Sequence, residues 1–202
     1  MFKLDHLMIE VDDPQQTANR VAEFMGLPLA WPLMTKEEYT SIGVNFGDIN
    51  VEFINFNVRF GRKETHFRGF SGIAFTDDVS LQVSMAKLDS AQLHYRIGEE
   101  CEAHTTLPVE DDQIFPTLFL VKYHFDTTGW VQRLHDEFAA CSGGKFNLGG
   151  FQSLAINSSL PDSAKSEFQL SSASKNQIVF KSNSGQKQLI SDLIDNLEIV
   201  IA

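Results

Sequence analysis

The sequence predicts an α+β protein, and three observations carry that prediction. Residues 3 to 56 run strand, helix, strand, strand, strand. A strand, a polar cap and an amphipathic helix return near residues 70 and 150, at a spacing too irregular for a solenoid. The chain of 202 residues is also long enough to bury a sizeable core, and no apolar run approaches the ~20 residues that cross a bilayer as a helix.

Residues 4 to 11 alternate as a strand, with Leu7, Ile9 and Val11 on one face and Leu4, His6, Met8 and Glu10 on the other. Asp13 offers a helix N-cap and Pro14 suits the first helical turn. Ala18, Val21, Ala22 and Met25 follow at helical spacing, Gly26 closes the helix and Pro28 prevents its continuation. A short strand at Leu29 to Trp31 precedes strands at Tyr39 to Phe46 and Ile49 to Phe56, joined through the turn signal Gly47 to Asn50. A charged, glycine-containing connector covers 57–69. Beyond it lie a strand (70–76), a cap at Asp77-Asp78, and a helix with Leu81, Met85 and Leu88 on one side. The stretch 94–112 is polar and gives no clear element, whereas 115–125 is an apolar strand of the doubly covered kind. Thr128 to Ala140 reads as a helix with Val131, Leu134 and Phe138 on a face. From 149 onward a strand, a proline turn and a short helix recur, followed by a strand at 176–182. The tail 189–202 reads as helix and then strand, the strand at Leu197 to Ile201.

Seventeen Phe against three Tyr and two Trp indicate a dry core or pocket, because Phe carries no polar handle. The net charge of −11 argues against nucleic acid and anionic membrane surfaces, which reward clustered Lys and Arg. Cys101 and Cys141 fit neither a zinc nor a redox spacing, and the N-terminus shows no leader pattern, so a cytoplasmic protein with reduced thiols is expected. His6 is the residue that asks for an explanation. On the residues alone it reads as a core histidine bonded to a carbonyl. Glu52 shares a strand face with Ile54 and Phe56, half-dry surroundings that cost free energy unless the carboxylate is paired or ligates a cation. The other histidines (66, 94, 104, 124, 135) stand in polar or helical contexts, and only His124, two positions beyond Lys122, falls on a strand face of interest. No Ser-His-Asp or Cys-His arrangement follows from the spacings.

"LDHLMIEVDDPQQTANRVAEFMGLP" followed by "SIGVNFGDINVEFINF" resembles the vicinal oxygen chelate superfamily, which includes glyoxalase I, ring-cleaving dioxygenases and bleomycin-resistance proteins. The match is specific over residues 3–57 and looser beyond, where "GIAFTDDV", "FPTLFLVKYHF" and "GGFQSLAIN" resemble its glyoxalase-like branch. The resemblance implies paired βαβββ modules whose curved mixed sheets enclose a central pocket. It divides the chain into a first module (1–57), a divergent second module (70–125) and a helix with a C-terminal extension (126–202), read together as one glyoxalase-like domain. It also implies that His6 and Glu52 occupy the first two metal-ligand positions and are the candidate catalytic residues.

The sequence departs from the family in the second half of that site. Gly72 lies opposite His6 in the aligned modules, and Lys122 falls where relatives carry an acid. Two ligands beside an ammonium make a poor metal site. Lys122 is therefore expected to replace the ion by pairing with Glu52, or the two form a purely structural ion pair. The expected pocket comprises His6, Met8, Glu52, Ile54, Phe56, Lys122 and His124. The expected cofactor is none, or one divalent ion on His6 and Glu52 if the site is retained. The leading function is binding of a small organic molecule in an apolar pocket. The alternatives are a metal-dependent or acid–base enzyme of the glyoxalase, dioxygenase or epimerase type, and a structural domain with a filled cavity. A homodimer is possible, because unburied strand edges invite a partner.

Overall fold

A computed structural model describes residues 1–63, 66–111 and 114–202. Glu64 and Thr65 of the expected connector, and Asp112 of the polar stretch, lie outside the described residues. The architecture is α+β with a seven-stranded mixed sheet and a second, five-stranded sheet. The first sheet has the order β2-β3-β4-β1-β5-β7-β6. Its members are β1 (Lys3–Glu10), β2 (Leu29–Thr35), β3 (Tyr39–Asn45), β4 (Asn50–Phe56), β5 (Gly69–Thr76), β6 (His104–Pro108) and β7 (Thr117–Tyr123). The second has the order β11-β12-β10-β8-β9. It contains β8 (Leu148–Ile156), β9 (Ser171–Ser172), β10 (Gln177–Ser182), β11 (Gln188–Ile194) and β12 (Leu197–Ile201).

Helix α1 (Pro14–Met25) forms where the spacing predicts it. The Asp13 carboxylate accepts from the Gln16 N–H at 2.9 Å, and Gly26 closes the helix at φ +72°. Ala18, Val21 and Met25 are buried against one face of the first sheet, in a core cluster with Leu7, Ile9, Val51, Phe53 and Ile73. The same cluster takes in Phe168 and Phe180, and Phe46 stacks on Phe180 at 5.9 Å. One face of the sheet is thus covered by helix and second sheet. The other carries a smaller cluster of Met8, Tyr39, Ile54, Phe56, Phe60, Ala74, Phe119 and Val121. Most of the Phe content fills the larger core, and four of the rings face the second side.

Helix α2 (Leu81–Ser90) is capped by Ser80, whose hydroxyl accepts from the Val83 N–H, and not by Asp77-Asp78 as the sequence predicts. Asp77 is instead committed to Lys122, Lys87 and Ser84. Helix α3 (Thr128–Ala140) buries Leu134 but leaves Val131 exposed, and α4 (Asp162–Phe168) buries Ala164 and Phe168. The helix expected at the start of the tail is strand β11, antiparallel to β12 through a turn with Asn196 at φ +62°. A neighbouring strand satisfies its backbone, and tertiary pairing overrides the local helical signal. No described helix is long and apolar enough to cross a membrane.

Candidate functional site

The open face of the first sheet holds a cavity of about 420 Å³. Its floor is β1 and β4. Strand β1 lies between parallel β4 and antiparallel β5, with Met8 beside Glu52 and Gly72. The pairing of β1 with β5 jumps from Leu4–Phe75 to His6–Ala74, leaving Asp5 as an extra residue. That bulge breaks strict alternation. Leu4 and Leu7 therefore both reach the main core, which corrects the expectation that Leu4 shares the face of His6. Asp5 and His6 both serve the cavity side.

The polar groups on the floor form a connected set. The His6 ring donates from Nδ1 to Asp5 Oδ2 at 2.7 Å, and its Nε2 lies 3.5 Å from Glu52 Oε2. The Tyr123 hydroxyl donates to the same Asp5 oxygen at 2.9 Å. Burial lowers the imidazole pKa, but hydrogen bonds and charge from Asp5 and Glu52 outweigh it and raise the value to about 10. His6 is thus an imidazolium at neutral pH, held between two carboxyl groups. Tyr123 is pushed well above the usual phenol value, by burial first and then by Asp5, and stays a donor. The arrangement sets the Glu52 carboxylate beside the His6 imidazolium on the cavity floor.

Because the folded pKa of His6 exceeds the ordinary 6.5, its contribution to stability is complete below pH 6.5 and declines as pH rises toward about 10. Urea unfolding across that window is expected to show a loss on the order of a few kcal/mol, given 1.36 kcal/mol per pKa unit. In Asp5→Asn the decline still begins near pH 6.5 but ends at lower pH and is smaller, because one of the causes that raise the folded pKa is gone. A wild-type stability curve that is flat or rising over the window contradicts the imidazolium.

Aromatic side chains make the walls. Trp31 on β2 lies 6.2 Å from Trp130 of α3, which in turn lies 5.9 Å from Tyr123. Tyr39, Phe56, Phe60 and Phe119 continue the wall, with Phe60 and Phe119 at 4.9 Å. Gly43 pairs with Trp31 on the neighbouring strand, and a Cβ there would lie 2.5 Å from the indole ring. The absent side chain lets the Trp31 ring lie flat on β3. Behind Phe56 and Phe60, Arg59 is buried against Glu10 at 2.6 Å, with its guanidinium over both rings.

Five of the seven sequence-predicted pocket residues line this cavity: His6, Met8, Glu52, Ile54 and Phe56. Lys122 and His124 do not. Strand β7 turns Phe119, Val121 and Tyr123 to the cavity, so by period-two alternation Lys122 points to the other face. There its ammonium meets Asp77 Oδ1 at 2.5 Å and the carbonyls of Asp77 and Val79. The expected Glu52–Lys122 pair does not form. His124 is exposed, its Nε2 3.0 Å from the Thr105 hydroxyl. Sequence reasoning missed Asp5, Trp31, Tyr39, Tyr123 and Trp130. The one signal for Tyr123 was the alternation of 117–123, set in the wrong phase.

A divalent ion on His6 and Glu52 needs further donors, and among the described residues the opposite side supplies none. A Cβ on Gly72 would lie 2.4 Å from the Met8 terminal methyl and 3.3 Å from the Phe119 ring, so a thioether and a benzene ring fill that space. The ring of Phe119 also sits 5.8 Å from His6. Two donors facing apolar groups do not make a site for an ion that takes three or more protein ligands.

No family model and no curated protein matches the sequence. Among solved structures, a hypothetical protein from Staphylococcus aureus superposes with a TM-score of 0.65 at 10% identity, over 100% of this chain and 99% of its own. The fold is shared. Methylmalonyl-CoA epimerases are also among the neighbours. That from Mycobacterium tuberculosis has a TM-score of 0.49 at 11% identity, over 61% of this chain and 89% of its own. One from Streptomyces coelicolor, in complex with 2-nitronate-propionyl-CoA, has 0.48 at 11%, over 61% and 98%.

Proposed function

We propose that this chain binds a small, largely apolar organic molecule in the cavity of its first sheet. The observation that carries this reading is a space of about 420 Å³ walled by aromatic rings, with its floor charges gathered at His6 and Glu52. Such a combination of apolar lining and few convergent polar groups suits a small-molecule site. The structural alternative has a filled cavity, and the open volume speaks against it.

The sequence contains two Trp, and both line the cavity, so all tryptophan emission reports on its contents. Titration with 1-aminoanthracene, a neutral planar probe, is expected to quench that emission saturably. Gly43→Ala, which drives the Trp31 ring out of its resting place, is expected to weaken binding at least about tenfold, as a 1.4 kcal/mol loss of fit does. Unsaturable quenching, or equal affinity in Gly43→Ala, contradicts the proposal.

A second reading, metal-free acid–base catalysis, is favoured by the Asp5–His6–Glu52 contact. It is tested by exchange of the α-proton of small carbonyl compounds in D₂O. Glu52→Gln then abolishes exchange while probe binding persists.

A further inference from the structure

The polar stretch before β6 holds a second group of chemistry-bearing side chains. The Cys101 N–H donates to the His104 carbonyl at 2.9 Å, Glu100 bridges to Thr105, and the Thr106 N–H donates to the Glu99 carbonyl. Residues 99–101 and 104–106 therefore form a hairpin closed by Glu102 and Ala103. In that register Cys101 stands directly opposite His104, and Glu99 is two positions from Cys101. All three side chains share one face. Cys101 Sγ lies 3.7 Å from His104 Nδ1, and Glu99 Oε1 lies 3.5 Å from His104 Nε2. One donor atom from each falls within 4.8 Å of the other two.

We infer that Glu99, Cys101 and His104 form a site for a borderline-soft divalent ion such as Zn²⁺, at the rim of the cavity and separate from His6 and Glu52. The donors are a thiolate, an imidazole and a carboxylate, each a zinc ligand type. With bonds of roughly 2.0–2.3 Å to a tetrahedral ion, neighbouring donors sit about 3.5 Å apart. The thiol and the carboxylate face different nitrogens of His104, so the side chains close from within 4.8 Å to share one ion. His104 and Glu99 are only 16% and 21% exposed, so the ion is partly enclosed. Both also line the cavity, whereas Cys101 does not. A fourth coordination position is then left to water or to a group of a bound molecule. The placement of Cys101 disfavours it as a nucleophile toward a bound molecule. On binding, the Cys101 thiol gives its proton to solvent, and thiolate plus carboxylate balance the charge of the ion. Lys36, whose ammonium lies 5.2 Å from the Tyr39 ring centre, is the nearby cation that opposes it.

Co²⁺ added to the reduced full chain is expected to produce a thiolate-to-metal charge-transfer band in the near ultraviolet, saturating at one ion per chain. Cys101→Ser loses the band, Cys141→Ser keeps it, and Lys36→Met saturates at lower Co²⁺. In the wild-type chain Zn²⁺ is expected to protect Cys101, but not Cys141, from alkylation by iodoacetamide, a readout independent of any variant's folding. Absence of the band together with unprotected Cys101 overturns the site, as does a band that survives Cys101→Ser. Probe quenching at Trp31 and Trp130 does not need the ion, so the two proposals fail separately.

Discussion

Arg59→Met is expected to lower the free energy of unfolding by about 3–5 kcal/mol, the range for breaking a buried ion pair from one side. The reason is what it leaves behind. Glu10 is 3% exposed, and its carboxylate pairs with Arg59 Nε at 2.6 Å while accepting from the Phe67 N–H at 3.0 Å. Without the guanidinium, a buried carboxylate keeps that backbone donor and loses its counter-charge. The variant also removes donors to the Ser71 carbonyl and the Thr117 hydroxyl, and the cation lying over Phe56, Phe60 and Phe67. Glu10→Met combined with Arg59→Met is expected to recover much of the loss, because apolar groups of similar size replace a desolvated pair at little net cost. A double-mutant cycle in urea measures the coupling. Purely additive losses mean the pair is not the reason for the burial. Because Phe56 and Phe60 line the cavity, the single variant is also expected to bind 1-aminoanthracene more weakly.

Lys122→Met carries the second large effect, nearer the lower end of the same range of about 3–5 kcal/mol. Its partner Asp77 retains Lys87 at 3.0 Å and the Ser84 hydroxyl at 2.8 Å, so the stranded carboxylate is only partly uncompensated. Asp77→Asn in the same chain should recover most of the loss, whereas Glu52→Gln should simply add to it, since Lys122 and Glu52 occupy opposite faces of the sheet. The reverse pattern, coupling to Glu52 and additivity with Asp77, overturns this placement. There is a pH signature as well. Although burial alone would raise it, the Asp77 carboxyl is held below its usual 3.8 by hydrogen bonds from Lys122, Lys87 and Ser84. A depressed folded pKa gives stability that is present above 3.8 and lost as pH falls through the folded value. Acid unfolding of Lys122→Met should therefore show a shallower dependence in that region than the wild type.

The strands β1 and β4, the helix α1 and the turn at Gly47 were legible because local patterns agree with the tertiary outcome. Alternating apolar residues face a core, Asp13 and Pro14 start a helix, and Gly26 ends it at positive φ. His6 and Glu52 were expected together only through the family resemblance of that module, and their side chains meet at 3.5 Å. Lys122 was placed wrongly because a seven-residue strand buried on both faces has no polar alternation to set its phase. An error of one residue moves every side chain to the other face. Strand β11 was missed because its backbone partner, β12, lies beyond the turn at Asp195 and Asn196, and local spacing says nothing of pairing.

By itself the sequence determined the α+β class, the order of the first module and a half-dry Glu52, since each depends on residue type and short-range period, whereas the pairing of His6 with Glu52 came from the family resemblance. Only the tertiary structure decided what surrounds them. The bulge at Asp5 adds a second carboxyl group to the imidazole, an effect of strand register. The cavity walls come from Trp31, Tyr39, Tyr123 and Trp130, which lie on three strands and a helix remote in sequence. Met8 and Phe119 fill the space beside Gly72 because β1, β5 and β7 are neighbours in the sheet. The chemistry of the floor rests on distances between chain segments, and segment proximity is set by packing of the whole.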